Sequence, residues 1–180
     1  MSADDSNDVS DYLGDDPVAF GELVARYQHS LFGYLGRMGL EPAICEEIAQ
    51  ETFLSAWTNR NRYDAHKGAV STWLFTIARN LALNHLSKKT VVICHEAEFP
   101  EETDSAPGPS EQVELDESIT KLRQALNTLS IDDRDVIATC YTPEIDNTSA
   151  ILGCSPGALR TRLSRARQRL SDALKHLDKH

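Results

Sequence analysis

The chain has 180 residues, with 28 acidic against 18 basic side chains and a net charge of −10. That length suits one or two small domains, and an overall acidity of this size argues against a uniformly basic nucleic-acid coat. The charge is uneven: residues 1–19 hold six Asp and no cation, and residues 90–115 hold seven acids and no Lys or Arg. The acidity therefore belongs to a tail and a linker, and the segments between them are near neutral with local basic faces. Cys45, Cys94, Cys140 and Cys154 are scattered with no CxxC pair, the start lacks a secretory signal, and no apolar run is long enough for a bilayer. The expectation is a cytoplasmic chain with reduced thiols and no membrane insertion.

Residues 1–16 are polar and Asp-rich and are expected to be disordered. A first helix is predicted from Pro17, with Phe20, Leu23, Val24, Tyr27, Leu31, Tyr34, Leu35 and Met38 as its apolar stripe and Gly39 near its end. Pro42 suits the first turn of a second helix reaching Trp57. Its core face holds Ile44, Ile48, Phe53, Ala56 and Trp57, while Glu46, Glu47, Gln50 and Glu51 lie mostly elsewhere. On composition alone those acids read as a solvated face. Residues 58–68 form a polar loop with Asn59, Arg60, Asn61, Arg62, Tyr63 and Lys67. Such a mixture can stack on and hydrogen-bond unpaired bases, or can be an ordinary surface loop. Ser71 is placed to cap a third helix, apolar through Trp73, Leu74, Ile77, Ala78 and Leu81. Arg79, Asn80, Asn84, His85 and Lys88 give it polar groups towards its end.

Residues 90–114, with Pro100, Pro107, Gly108 and Pro109, read as a helix-free acidic linker whose one apolar patch is Val91 to Ile93. A second helical unit, residues 115–180, opens with Leu115, Ile119, Leu122, Leu126 and Leu129 on one stripe. Ser130 with Asp133 resembles a capping box for the next helix, which Pro143 is expected to end. A short helix over about residues 146–152 follows. Gly153 then supplies a left-handed stop, Ser155 a cap and Pro156 a first turn. Beyond it Leu159, Leu163, Ala166, Leu170 and Leu174 recur at helical spacing, and Arg160, Arg162, Arg165, Arg167 and Arg169 fill the other faces. A short helix, a Gly-containing turn and an arginine-rich second helix have the layout of a helix-turn-helix that enters a major groove. The alternative is a solvated basic face. No Gly-rich phosphate loop, nucleophile–base pair or metal-ligand spacing is present, so nothing argues for an enzyme, a small-molecule substrate or a cofactor.

Three segments carry a resemblance. DPVAFGELVARY at 16–27, EEIAQETFLSAW at 46–57 and STWLFTIARNLALNHL at 71–86 resemble region 2 of bacterial RNA polymerase sigma factors of the short extracytoplasmic-function type. LGCSPGALRTRLSRAR at 152–167 resembles region 4 of the same family. The resemblance implies two all-α domains, residues 17–89 and 115–180, joined by the acidic flexible linker. It implies that Glu47, Gln50, Glu51, Phe53, Leu54 and Trp57 dock on the β′ clamp of core RNA polymerase, with the β flap as a second contact. Loop 59–68 (Asn59, Arg60, Asn61, Arg62, Tyr63, Lys67) and Arg79, Asn80, Asn84, His85 and Lys88 would then read the minus-ten element of promoter DNA and stabilise its melted strand. Ser155, Arg160, Thr161, Ser164 and Arg165 would face the minus-thirty-five element, with Arg162 and Arg167 on phosphates or in packing. An anti-sigma protein is the further partner implied. The chain departs from the family before the helix-turn-helix, where Thr148 and Ser149 stand at positions expected to hold an aliphatic residue and Ala. Buried without partners, those hydroxyls would cost about 1–3 kcal/mol each. Left open beside the sigma reading are a stand-alone helix-turn-helix regulator and a sigma-like decoy that no longer reads promoters.

Overall fold

The computed structural model describes residues 16–93 and 110–177, with side chains described at 16–88 and 117–177. The Asp-rich tail before Asp16, Cys94, His95 and the proline-rich middle of the linker lie outside the described residues. Seven α-helices and one short 3-10 turn follow each other among those described: α1 (Pro17–Arg37), α2 (Pro42–Thr58), the turn Arg60–Arg62, α3 (Val70–Ile93), α4 (Ser110–Asn127), α5 (Ile131–Cys140), α6 (Thr148–Ile151) and α7 (Pro156–Leu177).

Local chemistry sets these boundaries. Asp16 accepts the Val18 N–H at 2.9 Å and Pro17 takes the first helical position, so α1 starts there. Ser130 Oγ accepts the Asp133 N–H at 3.2 Å and donates to Asp133 Oδ2 at 2.9 Å, which is the capping expected for α5. Asn147 caps α6, Gly153 takes φ +60° and Ser155 caps α7 through the Ala158 N–H.

Two expectations need correction. Ser71 is not a cap: α3 starts at Val70, and Ser71 is buried in its first turn, where it hydrogen-bonds the Tyr27 hydroxyl. Helix also reaches into both ends of the expected linker, since α3 continues through Ile93 and α4 begins at Ser110, directly after Pro109. Val91 to Ile93 thus extend an existing helix. The end of α5 is as expected: the helix runs to Cys140 and has stopped before Pro143, which disfavours helical backbone at the preceding Thr142 as well.

α1, α2 and α3 form a three-helix unit around Leu23, Leu31, Tyr34, Leu35, Leu74, Phe75, Ala78 and Ala82. Phe75 meets the Tyr34 ring edge-on at 5.5 Å and the Tyr27 ring at 6.5 Å. α4, α5 and α7 form the second unit around Leu126, Leu129, Ile137 and Ala166. Linker and charge pattern suggest two separate bodies, but the two units pack against each other here. α5 lies on α1 and α3, and Ala138, Ile145 and Ile151 join the apolar cluster of the first unit. A polar seam surrounds that patch. Arg79 forms a two-pronged pair with Asp135, Ser30 donates to Glu144, Arg37 donates to Thr142 Oγ1 at 2.8 Å, and Arg134 donates to the Met38 carbonyl at 3.3 Å.

Gly39 ends α1 at this seam with φ +80°. A Cβ there would stand 2.5 Å from Asn127 Oδ1 and 2.7 Å from Arg134 Nη1, so an added methyl must displace that hydrogen-bonded pair. Gly153 shares the positive φ but has open space around it. Gly153→Ala should therefore cost only the left-handed backbone penalty, about 1–2 kcal/mol. Gly39→Ala should cost measurably more in the same urea titration, and equal midpoints would show that the seam contact carries no stability.

Candidate nucleic-acid interface

Three surfaces hold the residues singled out from the sequence. The first is the outer face of α2. Glu46, Glu47, Gln50 and Glu51 are all exposed, and Leu54 beside them is 65 % exposed. Phe53 is half-buried against the core and braces the strip from beneath. Trp57 is also half-buried: its ring meets Phe20 edge-on at 5.0 Å, and the Arg60 guanidinium lies 4.2 Å from its centroid. Arg60 also donates to the Trp57 carbonyl at 2.9 Å. An aliphatic side chain this exposed, flanked by acids with an aromatic at the edge, is a surface suited to a basic partner helix.

The second surface is the loop after α2 with the polar side of α3. Asn59 donates to the Ser55 carbonyl at 2.9 Å, and Tyr63 donates to the Gly68 carbonyl at 3.1 Å, so the loop is tied at both ends. The Tyr63 ring sits 5.5 Å from Trp73, and burial raises the pKa of its hydroxyl, which stays a donor. Asn61, Arg62 and Lys67 are exposed, with Lys67 3.6 Å from Asp64. On α3, Asn80, Asn84 and Lys88 are exposed and His85 is half-buried on the same helix. Arg79 is set apart from them. Its Nε lies 3.0 Å from both Asp135 oxygens and its Nη2 2.7 Å from Oδ2, with Asp135 only 2 % exposed. Hydrogen bonds donated to Asp135 raise the Arg79 pKa further, so the guanidinium is firmly charged and firmly held.

The third surface is α7. Ala166 is buried and Leu159, Leu163, Leu170 and Leu174 are half-buried, which fixes the rotation of the helix. Arg160, Thr161, Ser164 and Arg165 then face solvent together, and Ser155 stands exposed at the N-terminus. Arg167 lies over the Tyr141 ring at 5.1 Å, and Arg162 is half-buried. Thr148 and Ser149 of α6 are half-exposed. Their hydroxyls keep access to water, so the burial cost expected for them does not arise.

Residues 23–91 match the family model for sigma-70 region 2. The RNA polymerase sigma factor CarQ of Myxococcus xanthus is 31% identical over 163 residues, covering 89% of this chain and 91% of CarQ. The chain belongs to the RNA polymerase sigma factors. It is a sigma factor of the extracytoplasmic-function type and acts in transcription initiation. Two solved structures share its fold over nearly the full length. CnrH, in complex with the cytosolic domain of CnrY, is 25% identical with a TM-score of 0.65, covering 96% of this chain and 97% of CnrH. The sigma factor RpoE of Bartonella quintana, in complex with the anti-sigma factor NepR, is 26% identical with a TM-score of 0.68, covering 87% of this chain and 96% of that one.

Of the polar seam residues of this sigma factor, only Arg79 was picked out from its sequence, and as a DNA contact rather than a partner of Asp135. Asp135 carried the available signal, a charged residue next to Val136 and Ile137 on a short helix, where burial demands a cationic partner. The cysteines are clearer. Cys45 is buried, its thiol 3.5 Å from the Leu40 carbonyl, and burial pushes its pKa to about 11. Little thiolate then exists at neutral pH, which argues against an oxidant-sensing role for Cys45. At pH 8, iodoacetamide should label Cys45 at least about 100-fold more slowly in the folded chain than in urea, where an ordinary thiol titrates near 8.5. Equal rates in the two states would show that the thiol is accessible and ionisable.

Proposed function

We propose that this sigma factor docks on core RNA polymerase through α2, opens the minus-ten element with α3 and its preceding loop, and reads the minus-thirty-five element with α7. The observation that carries the reading is the α2 strip. Leu54 stands 65 % exposed among the exposed Glu47, Gln50 and Glu51, an apolar contact point within an acidic strip that a basic partner helix would cover. The β′ clamp supplies a helical partner of opposite charge, with Trp57 and Phe53 as a rigid backing.

The remaining surfaces divide the work on DNA. The loop offers Asn59, Arg60, Asn61, Arg62, Tyr63 and Lys67, and α3 offers Asn80, Asn84, His85 and Lys88. Amides and an aromatic ring can hold bases that leave the stack, while cations follow the backbone. Capturing an unpaired base stabilises the melted strand without ATP. On α7, Arg160, Thr161, Ser164 and Arg165 are set to reach base edges, and Arg162 and Arg167 to reach phosphates. The chain performs no chemistry of its own in this account, since RNA synthesis belongs to the polymerase, and it works in the cytoplasm where that enzyme is. The domains proposed are residues 17–89 and 115–180, and the solved relatives bound to CnrY and NepR support an anti-sigma protein as a further partner.

Co-elution with core RNA polymerase from the source organism tests the carrying step. Wild-type chain should travel with polymerase on a sizing column. Glu51→Arg and Leu54→Asp should each weaken the complex at least about tenfold, because the first sets a cation against a basic partner and the second replaces an apolar contact with a charge that docking must desolvate. Undiminished co-elution of both variants would place the docking surface elsewhere.

A further inference from the structure

We propose that Arg60 is a positioning residue of the base-reading loop: it holds the loop on the end of α2 through Trp57 and does not itself touch nucleic acid. The proposal rests on the assignment of loop 59–68 to single-stranded promoter DNA, and it sets Arg60 apart from the other loop cations.

The first support is what the guanidinium already touches. It lies over the Trp57 ring, 4.2 Å from the centroid, and its Nη1 donates to the Trp57 carbonyl at 2.9 Å. A guanidinium held over an indole and bonded to the carbonyl of the same residue is fixed in both direction and distance. To reach a phosphate it would have to give up both contacts. Arg62, in the same 3-10 turn, and Lys67 are exposed, whereas Arg60 is half-buried. The loop cations therefore divide, with Arg62 and Lys67 towards water and Arg60 towards the protein.

The second support is what that contact does for the loop. The last carbonyls of a helix lack intrahelical partners, and the helix dipole makes that end negative. α2 carries no basic residue in its last turn, so Arg60 supplies the cation from just beyond it. Asn59 adds a second tie, from its side-chain amide to the Ser55 carbonyl at 2.9 Å. The Arg60 backbone then carries the turn: the Tyr63 N–H donates to its carbonyl at 3.1 Å, and the Arg62 N–H donates to the Asn59 carbonyl at 2.8 Å. Tyr63 in turn meets Trp73 of α3 at 5.5 Å and donates to the Gly68 carbonyl. Asn61 and Arg62, exposed between these ties, owe their direction to the anchor at Arg60.

The third support is the footing. The Trp57 ring meets Phe20 of α1 edge-on at 5.0 Å, so the surface on which Arg60 rests is itself fixed. α1, α2 and the loop thus converge on one indole. The position also separates geometry from charge. A lysine would keep the positive charge, and with it any phosphate contact, but it has no planar group to lie over the ring while donating to the carbonyl.

The test uses the full-length chain with saturating core polymerase, so that weakened docking is not read as weakened DNA binding. The probe is a fluorescein-labelled pool of random single strands of about 12 nucleotides, titrated over a range of salt, with core polymerase alone as the blank. Arg60→Lys and Arg60→Gln should each weaken binding about fivefold and leave the salt slope unchanged, because no phosphate contact is lost. Arg62→Gln should instead lower the slope by about 0.7. Adding Arg60→Gln to Trp57→Leu should cost less than about twofold more than Trp57→Leu alone, since the ring it acts through is gone. In the free chain, the Arg62 and Tyr63 amides should exchange hydrogen at least about fivefold faster in both Arg60 variants. Arg60→Lys decides the matter if Arg60→Gln loses its helical circular dichroism. A salt slope that falls with Arg60→Gln and is kept by Arg60→Lys would make Arg60 a phosphate contact and overturn the proposal. Unchanged exchange, or faster exchange with unchanged binding, would overturn it as well. A wild-type complex that binds the pool no more tightly than core polymerase alone would overturn the assignment of the loop, and the proposal with it.

Discussion

Asp135 is a carboxylate buried to 2 % exposure, and a buried charge persists only beside a counter-charge. That constraint explains much of the architecture. Arg79 of α3 must reach across the two helical units to meet it, and Thr139, one turn along α5, keeps its hydroxyl on the Asp135 carbonyl at 2.8 Å. α5 is thereby fixed against α1 and α3. Since α4 and α7 pack on α5, the position of the whole second unit follows from this pair, the other hydrogen bonds of the seam and the small apolar patch between them.

α1 is the element on which both units converge. Its residues Leu23, Tyr27, Leu31, Tyr34 and Leu35 build the core with α2 and α3, while Ser30 and Arg37 face Glu144 and Thr142 of the second unit. The outer side of α2, the polar side of α3 and the solvent side of α7 stay open to water. Under the proposed function, polymerase contact and duplex reading fall on different elements, so that one can persist while the other is formed.

The sequence made most of this legible where local rules govern. Pro17, Pro42, Ser130, Gly153 and Ser155 mark helix ends by chemistry that acts within a few residues, and the structure places helix ends within a residue or two of each. The exposed strip of α2 and the arginine face of α7 follow from periodicity once the apolar stripe is known. The seam could not be read this way. Ser30, Arg37, Thr142 and Glu144 are unremarkable polar residues whose partners lie more than a hundred positions away, and nothing local pairs them. Thr148 and Ser149 mislead for the opposite reason: a comparison of residue types suggests burial, but α6 is four residues long and leaves both half in water. Arg79 is the instructive case, because its type and position on α3 suit DNA, and only the three-dimensional packing shows that an acid already holds it.

The account stands on promoter-directed initiation, and mapping RNA 5′ ends tests that most directly. Purified core polymerase from the source organism would transcribe fragmented genomic DNA with and without this chain. The account predicts new start sites that depend on the chain, share two short upstream motifs, and vanish when Arg160 and Arg165 or Asn80 and Asn84 are replaced by Ala. A chain that binds the polymerase yet yields no new start sites would contradict it, and would mark the protein as a sigma-like decoy.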